Sequence, residues 1–519
     1  MKSTPRVVQN ARVQVGAGLL VGDVLRRNAA AWPAAPAASI GERVLLHGEL
    51  DRGANRIAHA LRGIGLRTGE RLVCWADSSL EVLRLFAGCA KAGVVFAPLN
   101  ARFGVEEASE VVRMARPRAL CADAARAEAA AAVAKNAGVP LLLRFGEAGP
   151  RGDAGPGDSL AALEARASDA EPALPELRES DPHVIFFTSG STGRSKGVVL
   201  SHRASWLRSF QGVFHDEPEC TVCMFPLFHM AGFSLALAAW QTGGELALVA
   251  NAVADELCAV AERRRANRMY CIPAVWSRVL AADLSRYDLS ALRMVDTGTS
   301  ATPPELIHAL KERFPGTVTR IYYGSTEAGS GAVLADRDLA RKPGRVGRAA
   351  PGVELELTSA GEIRVRSPYL MDGYFDNPEA TADALRDGWY HTGDLGAFDD
   401  EGYLSVSGRL RDIIRSGGES ISPAEVEAAL AGLPGAAELA VVGIPDPQWG
   451  EVICAAVVLE PGAAMDLAAV QRHCGERLAR FKQPRRLALV AEIPRTAATR
   501  QVQRPLLVER ILAQPERQS

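Results

Sequence analysis

The chain has 519 residues, 48% of them apolar, and its 59 basic and 61 acidic side chains leave a net charge of −2. That length and apolar content suffice for large cores in more than one domain and exclude a disordered chain. Near-balanced charge removes any basis for general nucleic-acid binding, and no apolar run approaches the length of a membrane-spanning helix.

From the amino terminus, Met1 to Gly18 has no continuous apolar core, so a secretory leader is not expected. Leu72-Val73-Cys74-Trp75 and Val94-Val95-Phe96-Ala97 read as strands around a helical Leu80 to Ala90, the pattern of layered α/β structure with a largely parallel sheet. Ala124 to Ala137 favours helix, and the Gly, Pro and Asp of Gly146 to Gly157 predict an exposed loop. Val184 to Phe187 and Val198 to Leu200 are further strands. Cys220 and Cys223 form a lone CxxC without a second ligand pair, so packing rather than zinc is expected; nine scattered cysteines fit reduced thiols in a cytoplasmic protein. Arg263-Arg264-Arg265 predicts the solvated face of a helix. Short strands from Gly361 to Arg366, with turns between Asp387 and Gly402, close a large domain over residues 1–410. After Arg409 the pattern resets. Val426 to Leu433, the β-rich Leu439 to Ile444, and Ile453 to Leu459 predict a small α/β domain over residues 411–519.

Between two of these strands lies Thr188-Ser189-Gly190-Ser191-Thr192-Gly193-Arg194-Ser195-Lys196-Gly197. Glycines let a backbone approach an anion, hydroxyls donate hydrogen bonds, and Arg194 and Lys196 offset phosphate charge. This is not a Walker A loop, because Lys196 is preceded by Ser195 and followed by Gly197. The run points to nucleotide chemistry.

Four ordered segments carry a resemblance: the Ser/Thr/Gly loop, Tyr322-Tyr323-Gly324-Ser325-Thr326-Glu327-Ala328, Gly388-Trp389-Tyr390-His391-Thr392-Gly393-Asp394, and Gly408-Arg409-Leu410-Arg411-Asp412 with Pro423-Ala424-Glu425-Val426-Glu427. Together they resemble the adenylate-forming superfamily of acyl-CoA synthetases, luciferases and peptide-synthetase adenylation domains, most of all an acyl-CoA synthetase. The resemblance implies a multi-subdomain α/β large domain with flanked sheets and a distorted barrel, plus a mobile carboxy-terminal α/β domain turning about Arg411. It implies ATP and a small carboxylic acid as substrates, Mg2+ at Glu327, and CoA as the thiol that takes the acyl group. A carrier-protein acceptor and a weakly catalytic nucleotide-binding homologue are the alternatives, and a homodimer is the family-based expectation.

By the same resemblance Thr188, Ser189, Gly190, Ser191, Thr192, Gly193 and Lys196 hold the triphosphate. Gly298-Thr299-Ser300 passes beside adenine, Tyr323 stacks on it, and Gly324, Ser325 and Thr326 complete the nucleotide wall. Asp394 takes the ribose hydroxyls, with Arg409 beside it. His229, in Phe228-His229-Met230, flanks the incoming carboxylate or is a packing residue; Met230, Val275 and Trp276 are candidates for shaping the acyl pocket. Gly417 and Gly418 admit the thiol's narrow arm. The chain departs from the family at Pro494-Arg495-Thr496-Ala497-Ala498-Thr499-Arg500-Gln501, where the usual Pro-x-Thr-x-x-Gly-Lys lysine is missing. An ungapped match puts Arg500 in its place as the catalytic cation, and a slide by one puts Gln501 there. A guanidinium is not equivalent to an ammonium point charge, so acyl-adenylate formation is the step expected to suffer.

Overall fold

The computed structural model describes residues 18–146, 157–174, 176–189, 195–210, 217–416, 419–475, 477–496 and 500–513. Among these residues two large sheets dominate. One runs Gly373–Tyr374, Ser195–Ser201, Pro182–Ser189, Val95–Leu99, Arg71–Trp75, Ala119–Ala122, Leu141–Arg144 and Asp158–Ser159 in spatial order. It is parallel except where Pro182–Ser189 pairs with Ser195–Ser201 and where Gly373–Tyr374 joins the edge. Val95–Leu99 is buried along its whole length, which accounts for its continuous apolar sequence in a strand covered on both faces.

Helix Leu80–Ala92 follows the strand at Arg71–Trp75. Ser79 caps it by accepting from the Val82 amide, and Gly93 ends it with φ 69°, a left-handed turn that glycine adopts without strain. Gly88 lets this helix approach helix His47–Gly63, since a Cβ there would lie 2.4 Å from the Ile57 side chain. Phe86, on the same helix, stacks on Phe233 at 4.4 Å and meets Phe96 edge-on at 5.6 Å, joining this layer to helix Met230–Gln241.

The second sheet has the order Arg348–Ala349, Gly329–Leu334, Val318–Ser325, Met294–Gly298, Arg268–Tyr270, Cys220–Cys223, Glu245–Leu248, Pro36–Ile40, Arg43–Leu46. Its interior pairs are parallel and its edges antiparallel. A smaller antiparallel sheet of Glu354–Leu357, Glu362–Arg366, Leu385–Arg386, Trp389–Phe398 and Leu404–Arg409 meets it through the Gly347–Leu404 bridge, the distorted corner of the large domain. The Arg263 triplet ends a helix rather than lining its face. Helix Ala254–Arg263 stops there, and Arg264 forks onto Glu245 with two 2.8 Å bonds, a pairing between distant positions that the local sequence does not reveal.

Residues past Arg409 build a separate sheet in which Ile414–Ser416, Gly450–Leu459 and Ala436–Asp446 pair antiparallel and Arg486–Leu489 joins in parallel. One core lies against helices Pro423–Ala429 and Leu467–Cys474, another against helix Arg504–Ala513. Arg504 fixes the last helix, reaching Glu427 at 2.6 Å and Asp412 at 3.3 Å. No helix among the described residues is long and apolar enough to cross a membrane.

Candidate active site

A cleft of about 1600 Å³ opens where the two large sheets, the smaller sheet and the carboxy-terminal unit converge. The hairpin of Pro182–Ser189 and Ser195–Ser201 sets Thr188 opposite Lys196, and both line the cleft. Gly190, Ser191, Thr192 and Gly193 lie outside the described residues, as do Gly417, Gly418 and the side chain of Ser189. The Lys196 ammonium lies 4.7 Å from the centre of the Tyr374 ring, a cation–π contact, and the Tyr374 hydroxyl donates to Glu327 Oε1 at 3.0 Å. One tyrosine thus spaces the Lys196 cation from the Glu327 carboxylate. Burial first and the Glu327 charge second push the Tyr374 phenol up, so it stays a proton donor.

The backbone around Glu327 is held by a residue that no sequence motif marked. Arg208, buried on helix His202–Ser209, donates to the carbonyls of Thr326 and Glu327 at 2.7 Å each and of Tyr369 at 2.8 Å. Three buried carbonyls are satisfied by one planar fork. Gly324 needs its lack of a side chain, because a Cβ would fall 2.0 Å from the Gly329 carbonyl oxygen. Ser325 accepts from the Ala328 amide at 3.1 Å, tightening the turn that presents Thr326 and Glu327.

Gly298 ends a sheet strand with φ 150°, and a Cβ there would meet the Tyr322 carbonyl oxygen at 2.2 Å. Thr299 follows at φ 66°, a strained setting for a β-branched residue and one typical of functional sites. Thr299 lines the cleft; Ser300 is exposed outside it. Tyr323 donates its hydroxyl to Asp394 Oδ2 at 2.8 Å, while Arg409 Nε reaches Asp394 Oδ1 at 2.9 Å. Asp394 is buried behind these two, yet each carboxylate oxygen retains acceptor capacity. Burial raises its carboxyl above the usual range, and Arg409 opposes that shift.

His229 caps helix Met230–Gln241: its Nδ1 accepts from the Ala231 amide at 3.2 Å, and its ring stacks on Phe225 at 5.7 Å. Burial lowers its pKa to about 4, so the ring is neutral near pH 7, and with Nδ1 an acceptor the proton belongs on Nε2. Met230 lines the cleft. Val275 and Trp276 do not; both are core residues, and the Trp276 indole donates to the Asp296 carbonyl at 2.9 Å.

Arg500 is not the residue brought to the cleft. Arg495 and Val502 bridge the two arms of a hairpin, and Arg500 lies exposed near its tip at φ 58°. Gln501, one residue on, lines the cleft and donates Nε2 to the Thr299 carbonyl at 3.3 Å. Of the two residues the sequence offered in place of the lysine, Gln501 is the one that faces the cleft in this arrangement. Among the described residues no cluster of three or more His, Cys, Asp or Glu side chains could hold a metal ion. A metal there would rest on Glu327 and on oxygens of the nucleotide, which suits magnesium's preference for few protein ligands.

Comparison with known proteins gives the same picture. The AMP-binding enzyme family matches residues 25–375, and the AMP-binding enzyme C-terminal domain matches residues 425–500. The indoleacetate–CoA ligase of Aromatoleum aromaticum is 34% identical over 487 residues, covering 91% of this chain and 94% of its own. A 3-[(3aS,4S,7aS)-7a-methyl-1,5-dioxo-octahydro-1H-inden-4-yl]propanoyl:CoA ligase of Mycobacterium tuberculosis is 35% identical over 467 residues, covering 87% and 91%. The crystal structure of ATP-bound MatB from Rhodopseudomonas palustris superposes with a TM-score of 0.82 at 27% identity, over 94% of this chain and 98% of that one. On both the sequence match and the fold, the chain belongs to the AMP-binding enzyme family.

Proposed function

We propose that this protein is an AMP-forming acid–thiol ligase. A carboxylate attacks the α-phosphate of ATP, pyrophosphate leaves, and the thiol of CoA then displaces AMP from the acyl-adenylate to give acyl-CoA. The observation that carries the reading is that Lys196, Tyr374, Glu327, Tyr323 and Arg409 line a single cleft, with Asp394 bonded directly behind the last two. A carboxylate alone lacks a leaving group; AMP supplies one, and fixed positions for both reactants lower the barrier.

In this reading Thr188 and Lys196 hold the triphosphate, with the hydroxyls and glycines of the loop from Ser189 to Gly193. Tyr323 and the Gly298–Ser300 segment bound the adenine, with Gly324, Ser325 and Thr326. Asp394, oriented by Arg409, accepts from the ribose. Glu327 would hold the magnesium ion carried with ATP, which supplies charge neutralisation to the phosphates. His229 offers its Nε2 proton to the incoming carboxylate, a role suited to a neutral ring. The carboxy-terminal unit, joined near Arg411, turns between the two half-reactions, and the glycines at 417 and 418 admit the thiol.

Gln501 occupies the position nearest the adenine segment from the carboxy-terminal side, and an amide brings no charge. Losing one charged transition-state donor costs about 3 kcal/mol, or on the order of a hundredfold in rate. Acyl-adenylate formation is therefore the slow half. The acids named for the two relatives above both carry rings, and the aromatic walls Phe225, Tyr270 and Tyr322 suit such an acid here. Incubation with ATP, magnesium and a panel of ring-bearing acids is expected to yield acyl-CoA when CoA is present. Product on a carrier protein but none on CoA would reassign the acceptor, and no product on either would contradict the reading.

A further inference from the structure

Helix Met230–Gln241 lays Ala231, Ser234, Leu235 and Ala238, one helical face, along the cleft. Opposite it, alternate residues of the second sheet share a face: Tyr322 and Arg320 on one strand, Tyr270 and Arg268 on another. Tyr322 pairs in register with Gly298, at the nucleotide end. Arg320 pairs with Asp296, two residues or about 7 Å deeper, and Arg268 pairs with Met294, about 13 Å deep. The slot therefore leaves the reaction centre between small helical side chains and aromatic rings, and it ends on charge.

That end is a four-membered ion network. Asp296 is fully buried and accepts Arg268 Nε at 2.8 Å and Arg320 Nε at 2.9 Å, with Arg320 Nη2 at 3.0 Å. Glu219 accepts Arg268 Nη1 at 2.9 Å. Among these four residues each guanidinium faces at least one carboxylate. The network is not closed: Arg268 Nη2 and Arg320 Nη1 take no hydrogen bond among the described residues, are not enclosed by protein atoms, and belong to residues that line the cleft. These two donors are therefore open to whatever fills the cleft, water or ligand.

We infer that these two guanidinium donors recognise an uncharged hydrogen-bond acceptor, a ketone or hydroxyl oxygen, at the far end of a compact ring-bearing acid. The inference rests on the reading of the cleft as the acid-activating site. Both free groups are donors, so the ligand must accept. A second carboxylate would bring a further charge to be desolvated beside Asp296 and Glu219, which already hold these guanidiniums, and a plain hydrocarbon would strip water from the donors without replacing it.

The test compares two acyl-sulfamoyl adenosines, made from 3-(4-oxocyclohexyl)propanoic acid and 3-cyclohexylpropanoic acid, by calorimetry on the full chain. ATP-dependent pyrophosphate release from the two free acids is measured alongside. The keto compound is expected to bind on the order of a hundredfold tighter, since sites built around a polar group reject analogues lacking it. Arg320→Met is expected to bring the two within about threefold of each other. Equal affinities in the unaltered protein, no binding of either compound, or tighter binding of a succinyl analogue bearing a second carboxylate would overturn the inference. Selective binding of the keto compound with no pyrophosphate from either acid would uphold it and contradict the ligase reading instead.

Discussion

A neutral amide at Gln501 reaches into the cleft that Lys196 and Glu327 line, while the nearby cation, Arg500, stays in solvent. The two residues make opposite predictions under substitution. Gln501→Lys is expected to raise acid-dependent pyrophosphate release by about 10- to 100-fold, because it restores a charged donor beside developing negative charge. Arg500→Lys should leave the same rate within about twofold, since exposed charges are screened. Pre-steady-state measurement of pyrophosphate separates the cases, and a larger response at Arg500 would move the role back to it.

A second residue-scale consequence concerns acid stability. His202 is buried against His183, with ring centres 4.8 Å apart, and burial lowers its pKa to about 4. The unfolded chain binds that proton near pH 6.5 and the folded chain only near pH 4, so falling pH favours unfolding across that window. The loss amounts to about 3 kcal/mol by pH 4. His202→Asn removes the titrating ring and keeps an acceptor for the Val21 amide. Urea midpoints at pH 7, 5.5 and 4.5 should fall less steeply for that variant; parallel slopes would exclude His202 as the source.

At the scale of elements, the strands and turns that form the cleft were legible because their chemistry is local. The loop between Phe187 and Gly197, the Tyr322 to Glu327 turn and the Gly298-Thr299 segment each announce themselves in a few consecutive residues. What the sequence concealed are meetings between distant elements. Tyr374 bonds Glu327, 47 positions away, and meets Lys196, which is farther still, while Arg208 reaches carbonyls 118 and more residues away; no period or spacing encodes either. The choice between Arg500 and Gln501 stayed open in the sequence because a slide of one residue exchanges them; the hairpin closed at Arg495 and Val502 turns Gln501 toward Thr299 and leaves Arg500 exposed. Arg208→Lys tests the element-scale support directly. An ammonium cannot span three carbonyls, so stability should drop by about 2–4 kcal/mol and pyrophosphate release should fall with it. Retention of both would show that the turn holds itself.

For the whole molecule, two units with separate cores meet at the cleft, touching through contacts such as Gln501 to Thr299 and Ser422 to the Ser407 carbonyl at 2.6 Å. Such polar contacts are those expected of the rotation proposed for the carboxy-terminal unit between the two half-reactions. The composition alone allowed more than one domain, and the change of pattern after Arg409 suggested where a second begins; the residues that meet between the units come from folding. The reaction's first half defines the protein's chemistry, so the most direct measurement is the exchange of labelled pyrophosphate into ATP, with a ring-bearing acid present and CoA omitted. Acid-dependent exchange that Lys196→Met abolishes is the expected result. Exchange independent of any acid, or none with an intact, ATP-binding protein across the whole panel, would contradict the central claim.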